Sequence, residues 1–227
     1  MNNSEINYTA PLAELDPAED SSKGKKRLIK AIAITVGVLA LLTLPACFLL
    51  LYCSAATAVP TVVDDPANYI YVIGPQAVNE YADKWGFSEE IFPETVDEEQ
   101  VQDFVSVYYN PWDAQYLAKL VVRYPKEQYD AEMARLSAIG IDDYEGIYGA
   151  QGFGNGYKLA AMDSDEYQGM VYALSDGKDT IIYIEMIFCN YFMDLDYTEY
   201  IEKEYLPLGF DATPDNPYEE KMMSSAQ

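Results

Sequence analysis

Residues 169–188 have the sequence GMVYALSDGKDTIIYIEMIF, and this stretch decides the predicted fold. Two runs rich in β-branched and aromatic residues, 169–175 and 180–188, flank the turn sequence DGKD at 176–179. β-Branched and aromatic side chains favour strands, and an Asp-Gly turn between two such runs is typical of a β-hairpin. The sequence therefore predicts an antiparallel hairpin in the C-terminal third of the chain.

A second hairpin strand is predicted at residues 115–124, where apolar and polar positions alternate. Alternate residues of a strand point to the same face of a sheet. Lys119 and Arg123 lie together on one of these faces, so we expect that face to be polar. The residues expected on the other, apolar face are Tyr116, Ala118, Leu120, Val122 and Tyr124.

The rest of the domain is predicted to mix strands and helices. Strand composition continues at 157–162, 104–109 and 69–73, and helices are predicted at 76–85, 126–139 and 198–205. Together these elements predict an α+β domain with an antiparallel sheet of about four to six strands and about two to four helices.

An apolar segment precedes this domain. Residues 31–51 have the sequence AIAITVGVLALLTLPACFLLL, and there is no Asp, Glu, Lys or Arg between residues 31 and 63. About 20 apolar residues in a helix cross the hydrocarbon core of a bilayer, and membrane helices tolerate a proline such as Pro45. The sequence therefore predicts a single transmembrane helix over residues 31–53.

The basic residues predict the orientation of this helix. After the apolar segment the next basic residue is Lys84, and cytoplasmic flanks are enriched in Lys and Arg. We therefore expect a cytoplasmic N-terminus and an extracytoplasmic domain in the plasma membrane. Five basic residues form the membrane flank before the segment: Lys23, Lys25, Lys26, Arg27 and Lys30.

The fate of the apolar segment has two alternatives. A signal peptidase could cleave after Ala58, or lipidation could occur at Cys47 within Leu44-Pro45-Ala46-Cys47, which resembles a bacterial lipobox. We favour an uncleaved anchor because the apolar run is longer than that of a usual signal peptide. Both alternatives stay open, and both deliver the same domain to the outer face.

Composition divides the chain into segments. Residues 1–30 are predicted to be a disordered cytoplasmic tail, and residues 54–66 a tether after the membrane helix. The extracytoplasmic domain is expected over 67–213, with a frayed tail at 214–227. Cys189 is the only cysteine of the domain and the domain has no N-x-S/T sequon, which suits a bacterial envelope.

The charge of the protein excludes several classes of function. The chain has 38 Asp and Glu, 14 Lys and Arg and no histidine, which gives a net charge of −24. Residues 1–30 are neutral, so the whole excess of acid lies after residue 63. Without histidine there is no Ser-His-Asp triad and no His-ligated metal, and so acidic a domain is unsuited to nucleic acid.

Two acidic clusters are weak candidates for a calcium site, because Ca²⁺ prefers carboxylate and carbonyl oxygens on loops. Neither cluster has the EF-hand pattern, and a turn or a capped helix explains each equally well. No other cofactor and no catalytic motif is predicted. The candidate ligands are Asp163, Asp165 and Glu166 in one cluster and Asp194, Asp196 and Glu199 in the other.

Two functional hypotheses follow. The leading one is a non-enzymatic binding or accessory module of the cell envelope, which recognises a protein or a cationic envelope component. The alternative is a carboxylate-based hydrolase acting on envelope glycan, which would need a cleft containing one carboxyl of raised pKa. The glycine-rich sequence at 149–156 does not match a phosphate-binding loop, so it supports neither hypothesis.

Overall fold

The computed structural model describes residues 17–56, 58–87, 89–154 and 156–225. The chain divides into two compact units, residues 1–53 and residues 54–227. Residues 1–16 of the first unit lie outside the described part. The second unit contains the predicted antiparallel sheet, so the α+β class is confirmed.

The described part of the first unit lies in one long helix, α1 (Pro17–Ala56), which continues three residues into the second unit. Within it, Lys25–Cys53 is long and apolar enough to cross a membrane, and none of its most apolar stretch is buried. At 1.5 Å per residue these 29 residues extend for about 43 Å. The helix begins earlier than residue 31, so residues 17–30 are helical here, whereas the sequence predicted a disordered tail.

The sheet of the second unit has six antiparallel strands in the order β1-β2-β3-β6-β5-β4. Both predicted hairpins are present, β2–β3 and β5–β6, and β3 pairs with β6 to join them. The strands are β1 (Thr61–Val63), β2 (Val101–Tyr109), β3 (Gln115–Arg123), β4 (Lys158–Asp165), β5 (Gly169–Ser175) and β6 (Thr180–Ile187).

Three further helices accompany the sheet: α2 (Tyr69–Val72), α3 (Lys126–Ile139) and α4 (Pro217–Ser225). The helix predicted at 126–139 is confirmed as α3, which ends where Gly140 takes a φ of 98°. Residues 217–225 form α4, whereas the sequence predicted a frayed tail over 214–227.

Three predicted elements differ from the structure. The strand expected at 69–73 is the helix α2, which follows the short turn Pro66–Asn68 capped by the Asp65 side chain. The helix expected at 76–85 is reduced to one 3₁₀ turn, and the helix expected at 198–205 to two. These turns are Asn79–Tyr81, Tyr197–Glu199 and Lys203–Tyr205.

Both faces of the sheet are covered, which explains why β3, β5 and β6 are almost entirely buried. One face, the helix face, packs against α3 and residues 69–96. The other, the loop face, packs against residues 144–157 and 191–218. We expected Lys119 on a polar face, but it is buried on the loop face, where Asp103 and Glu202 bind its ammonium group at 2.7 and 2.9 Å.

Gly169 allows a close approach of strands that no side chain would permit. A Cβ at this position would lie 2.1 Å from the carbonyl oxygen of Met186 and 2.9 Å from the ring of Phe188. We expect Gly169→Ala to lower the free energy of unfolding by about 3 kcal/mol or more, because the strands must separate to admit it. Urea unfolding of the full chain in micelles, followed by Trp fluorescence, measures the loss.

Gly177→Ala is the matched control. Gly177 also has a positive φ, +75°, but its Cβ would meet nothing within 4 Å. The Gly177→Ala substitution should therefore lower the free energy of unfolding by the backbone strain alone, roughly 1–2 kcal/mol. Equal losses for the two variants would contradict the close approach at Gly169.

Candidate binding cleft and its buried charges

A charged residue lies at the centre of the helix face. Glu185 in β6 is fully buried, and its neighbours in the sheet are Ala118 of β3 and Val171 of β5. Burying a carboxylate is costly unless a partner binds it. The partner is Lys84, whose Nζ lies 2.9 and 3.2 Å from the two carboxylate oxygens of Glu185.

Lys84 binds a second carboxylate as well. Its Nζ donates to Glu89, and it lies 5.8 and 5.7 Å from the ring centroids of Tyr81 and Tyr116. Aromatic faces attract a cation at this distance. One buried ammonium group is therefore held by two carboxyls and two aromatic rings, and we call Lys84, Glu89 and Glu185 the buried triad.

The surroundings of Glu185 favour its protonated form. Burial raises the pKa of Glu185 to about 8; the ammonium of Lys84 opposes this rise, and the carboxylate of Glu89 adds to it. The two carboxyls are in hydrogen-bond contact, and this contact also raises the pKa of Glu185. A fully buried carboxyl is less costly in its neutral form than in its charged form.

Glu89 connects the triad to an open cleft of about 970 Å³. Its Oε2 accepts a hydrogen bond of 2.7 Å from the backbone NH of Gly74, so both of its carboxylate oxygens have donors. The cleft lies between residues 74–75, residues 89–94 and the last turns of α3. The residues that line it are Gly74, Pro75, Glu89, Glu90, Phe92, Pro93, Glu94, Arg135, Ala138 and Ile139.

The single basic residue in this lining is already engaged. Arg135 donates to the carboxylate of Glu132 at 2.6 and 2.8 Å and to the carbonyl oxygens of Glu90 and Ile91 at 2.5 and 2.7 Å. These bonds hold the 89–94 loop against α3. The lining therefore combines apolar side chains with carboxylates, while its guanidinium group serves to shape the cleft.

Glycoside hydrolysis sets a requirement on the carboxyls of this cleft. A glycosidase needs two carboxyls that both reach the substrate, roughly 5–9.5 Å apart. Glu185 has the raised pKa that such an acid requires, but it is fully buried and in direct contact with Glu89. In this part of the structure the carboxyl of raised pKa therefore lies beneath the cleft lining.

The first predicted acidic cluster forms a β-turn and part of a strand edge. Asp165 accepts from the backbone NH groups of Tyr167 and Gln168 at 2.8 and 2.9 Å, which shapes the β4–β5 turn. The pKa of Asp163 is raised, first by partial burial and then by the carboxylates of Asp142 and Asp165. Glu166 lies in the turn itself.

The second cluster has local hydrogen-bonding roles. Asp194 accepts from the Gln115 amide at 2.9 Å, and Asp196 caps the turn Tyr197–Glu199 by accepting from Thr198 NH at 3.0 Å. Among the described residues, no three Asp, Glu or Cys side chains are grouped so that they could hold a metal ion. Calcium binding by either cluster stays a prediction.

The other residues noted in the sequence lie outside the cleft lining. Lys25, Lys26, Arg27 and Lys30 are exposed on α1, and Lys23 is in the same helix. Cys189 follows β6 and is half-buried; burial, and then Asp113, raise the pKa of its thiol to about 11. This thiol stays protonated at neutral pH, so it is a poor nucleophile.

Sequence reasoning missed the buried triad. Its one available signal was Glu185, the only charged residue in the otherwise strand-forming run 180–188. Lys84 is 101 residues away from Glu185, and no pattern in the sequence connects them.

Comparison with known protein families, with curated proteins and with solved structures finds no match to this chain. The features of the chain that bear on function are therefore the cleft, the buried triad, the charge and the apolar helix.

The triad predicts a specific dependence of stability on pH. The pKa of Glu185 is about 8 in the folded protein and near 4.5 when exposed, so the folded state binds its proton more tightly. The resulting stabilisation is complete below pH 4.5, decreases as the pH rises, and is lost above about 8. Relative to Glu185→Gln, the wild type should lose up to about 1.4 kcal/mol of unfolding free energy per pH unit in this window.

Urea unfolding of both proteins between pH 5 and pH 8.5 measures this difference, and Gln is the control because it fills the same space without titrating. A difference between the two proteins that stays constant across the range would show that Glu185 is ionised throughout.

Proposed function

We propose that the protein is a single-pass membrane protein that presents an acidic binding or accessory module outside the cell. Its support is the apolar helix Lys25–Cys53, together with the basic residues that precede it. The positive-inside rule favours a cytoplasmic N-terminus and an extracytoplasmic domain. The scarcity of cysteines and the lack of sequons in the domain favour a bacterial plasma membrane.

The cleft is the proposed binding site, and its lining carries this proposal. Pro93, Ala138 and Ile139 offer apolar surface, while Glu89 and Glu94 place carboxylates beside it. A partner with basic groups next to apolar ones would match both features. The net charge of −24, which lies entirely after residue 63, would also attract such a partner and speed its association.

The orientation predicts the activity of topology reporters. Alkaline phosphatase is active only outside the bacterial cytoplasm, so its fusion after Gln227 should be active and its fusion before Met1 inactive. Replacing the five flanking residues by Gln should reduce the activity of the C-terminal fusion, because the charge asymmetry that orients the helix is lost. Phosphatase activity per fusion molecule is the measurement.

Replacing the distant Lys158, Lys178, Lys203 and Lys221 by Gln is the control, since these residues follow the apolar segment and should not affect orientation. Mass spectrometry of washed membranes tests the anchor itself. An intact Met1 peptide would exclude both cleavage after Ala58 and lipidation at Cys47. Equal activity of the two fusions would contradict the proposed topology.

Ligand recognition by the cleft is tested with a fluorescein-labelled peptide of alternating Lys and Leu. Its affinity for the full chain in zwitterionic nanodiscs can be measured by fluorescence anisotropy at low salt. We expect Glu94→Gln to weaken binding by about 2- to 5-fold, because one exposed charge contributes up to about 1 kcal/mol. Ile139→Gln should also weaken binding, because it removes apolar surface from the cleft.

Glu127→Gln is the matched control for charge. Glu127 lies in the first turn of α3, on the same helix as Ile139, but outside the cleft lining. The Glu127→Gln variant should bind the peptide with the same affinity as the wild type. Empty nanodiscs give the background signal. If Glu94→Gln and Glu127→Gln weaken binding equally, the peptide responds only to net charge and the cleft is not its site.

A further inference from the structure

Both tryptophans of the chain are exposed. Trp112 has 57% and Trp85 has 41% of its surface accessible, which is unusual for the largest apolar side chain. The Trp85 indole NH donates to the carbonyl oxygen of Ala114 at 2.8 Å. This bond places Trp85 against the β2–β3 turn that contains Trp112, so the two indoles lie at the same end of the sheet.

Strand register defines this end, which we call the aromatic end. Thr61, the first residue of β1, pairs with Tyr108 just before the β2–β3 turn. The β4–β5 turn lies there too, because Gly169 pairs with Ile187 and Ile187 pairs with Tyr116. That turn adds Tyr167, another exposed aromatic residue.

Strand β1, which begins at the aromatic end, follows the apolar helix closely in the sequence. Only residues 54–60 separate Cys53 from Thr61. Fully extended, this connection can span at most about 30 Å. Val59, within it, is 80% exposed, so apolar surface continues along the connection.

The opposite end of the sheet has a different surface. Arg123 pairs with Thr180 there, beside the turn that contains Lys178, and α3 begins nearby with Lys126. These three basic side chains are exposed, and two of them are paired with carboxylates, Arg123 with Asp179 and Lys126 with Asp130. The nine residues of β3 separate the two ends by about 25–30 Å.

We propose that the aromatic end rests in the headgroup region of the membrane that holds the apolar helix. Trp and Tyr are enriched at membrane–water boundaries, because their rings are apolar and their NH and OH groups are polar. The inference rests on the membrane anchoring proposed above, and adds that the domain has a lipid-binding surface of its own. Two indoles at the end where β1 begins fit this location, whereas the opposite end, with its paired charges, faces away.

Charge determines which lipids suit this surface. Glu80, Asp83 and Asp113 are acidic residues of the aromatic end, around Trp85 and Trp112. Carboxylates repel anionic headgroups within about one Debye length, roughly 10 Å at 0.1 M salt. Zwitterionic lipid is therefore the preferred partner, and salt should reduce the disadvantage of anionic lipid.

The experiment uses the full chain in nanodiscs of phosphatidylcholine with brominated acyl chains, which quench nearby tryptophans. The apolar helix contains no Trp, so the emission reports on the domain alone. We expect strong quenching of the wild type relative to nanodiscs with unbrominated lipid. Each single variant, Trp85→Phe and Trp112→Phe, should keep part of the quenched emission, and anionic phosphatidylglycerol should lower quenching at low salt.

Two reporters in a Trp85→Phe, Trp112→Phe background separate the possible failures. Leu50→Trp lies in the apolar helix and reports whether the anchor is inserted. Lys178→Trp lies at the opposite end of the sheet and should escape quenching. Quenching of Leu50→Trp without quenching of the native tryptophans would overturn the inference and leave the anchor intact, whereas absence of both would overturn the anchor itself.

A protein partner gives a different result. Tryptophans that are protected from acrylamide but not quenched by brominated lipid would be covered by protein, such as a second copy of this chain. Equal quenching of Lys178→Trp and the native tryptophans would mean that the domain has no preferred end toward the lipid. Either result contradicts the proposal.

Discussion

The single ammonium group of Lys84 joins two parts of the fold that regular secondary structure does not connect. It binds Glu185 in the middle of the sheet and Glu89 at the start of the 89–94 loop. The described residues between 69 and 96 form a four-residue helix and short turns, with no strand of the sheet among them. Their position over the sheet depends on this interaction, on the buried side chains around it and on the contacts of Arg135. The candidate cleft exists because that segment is held in place.

Elements with a strong local pattern could be predicted from the sequence. The β5–β6 hairpin, β3 and α3 each have composition, periodicity and end signals that agree with one another. The segment at 69–73 was wrongly predicted as a strand because β-branched and aromatic residues signal burial as much as strand conformation. Here Tyr69, Val72 and Ile73 are buried by a helical turn on the sheet.

The candidate site could not be predicted in this way, because its parts meet only through tertiary structure. Glu185, Lys84 and the end of α3 are far apart in the chain, and the local sequence around each is compatible with many partners. The same reason explains why the burial of Lys119 was not predicted. Alternation in β3 correctly placed it opposite the apolar face, but nothing local showed that residues 191–218 would return to cover the loop face.

The small size of β1 has a mechanical consequence. Its three residues join the sheet to residues 54–60, which follow the apolar helix in the sequence, and within the described part of the chain they pair with β2 alone. Tension along the chain would reach this pairing first, and its few hydrogen bonds would yield before the interior strands. The connection would then lengthen as far as Asp65, where the capped turn and the buried Tyr69 would stop it. Detachment of β1 would therefore extend the connection by a few residues while the rest of the sheet and the cleft remain folded.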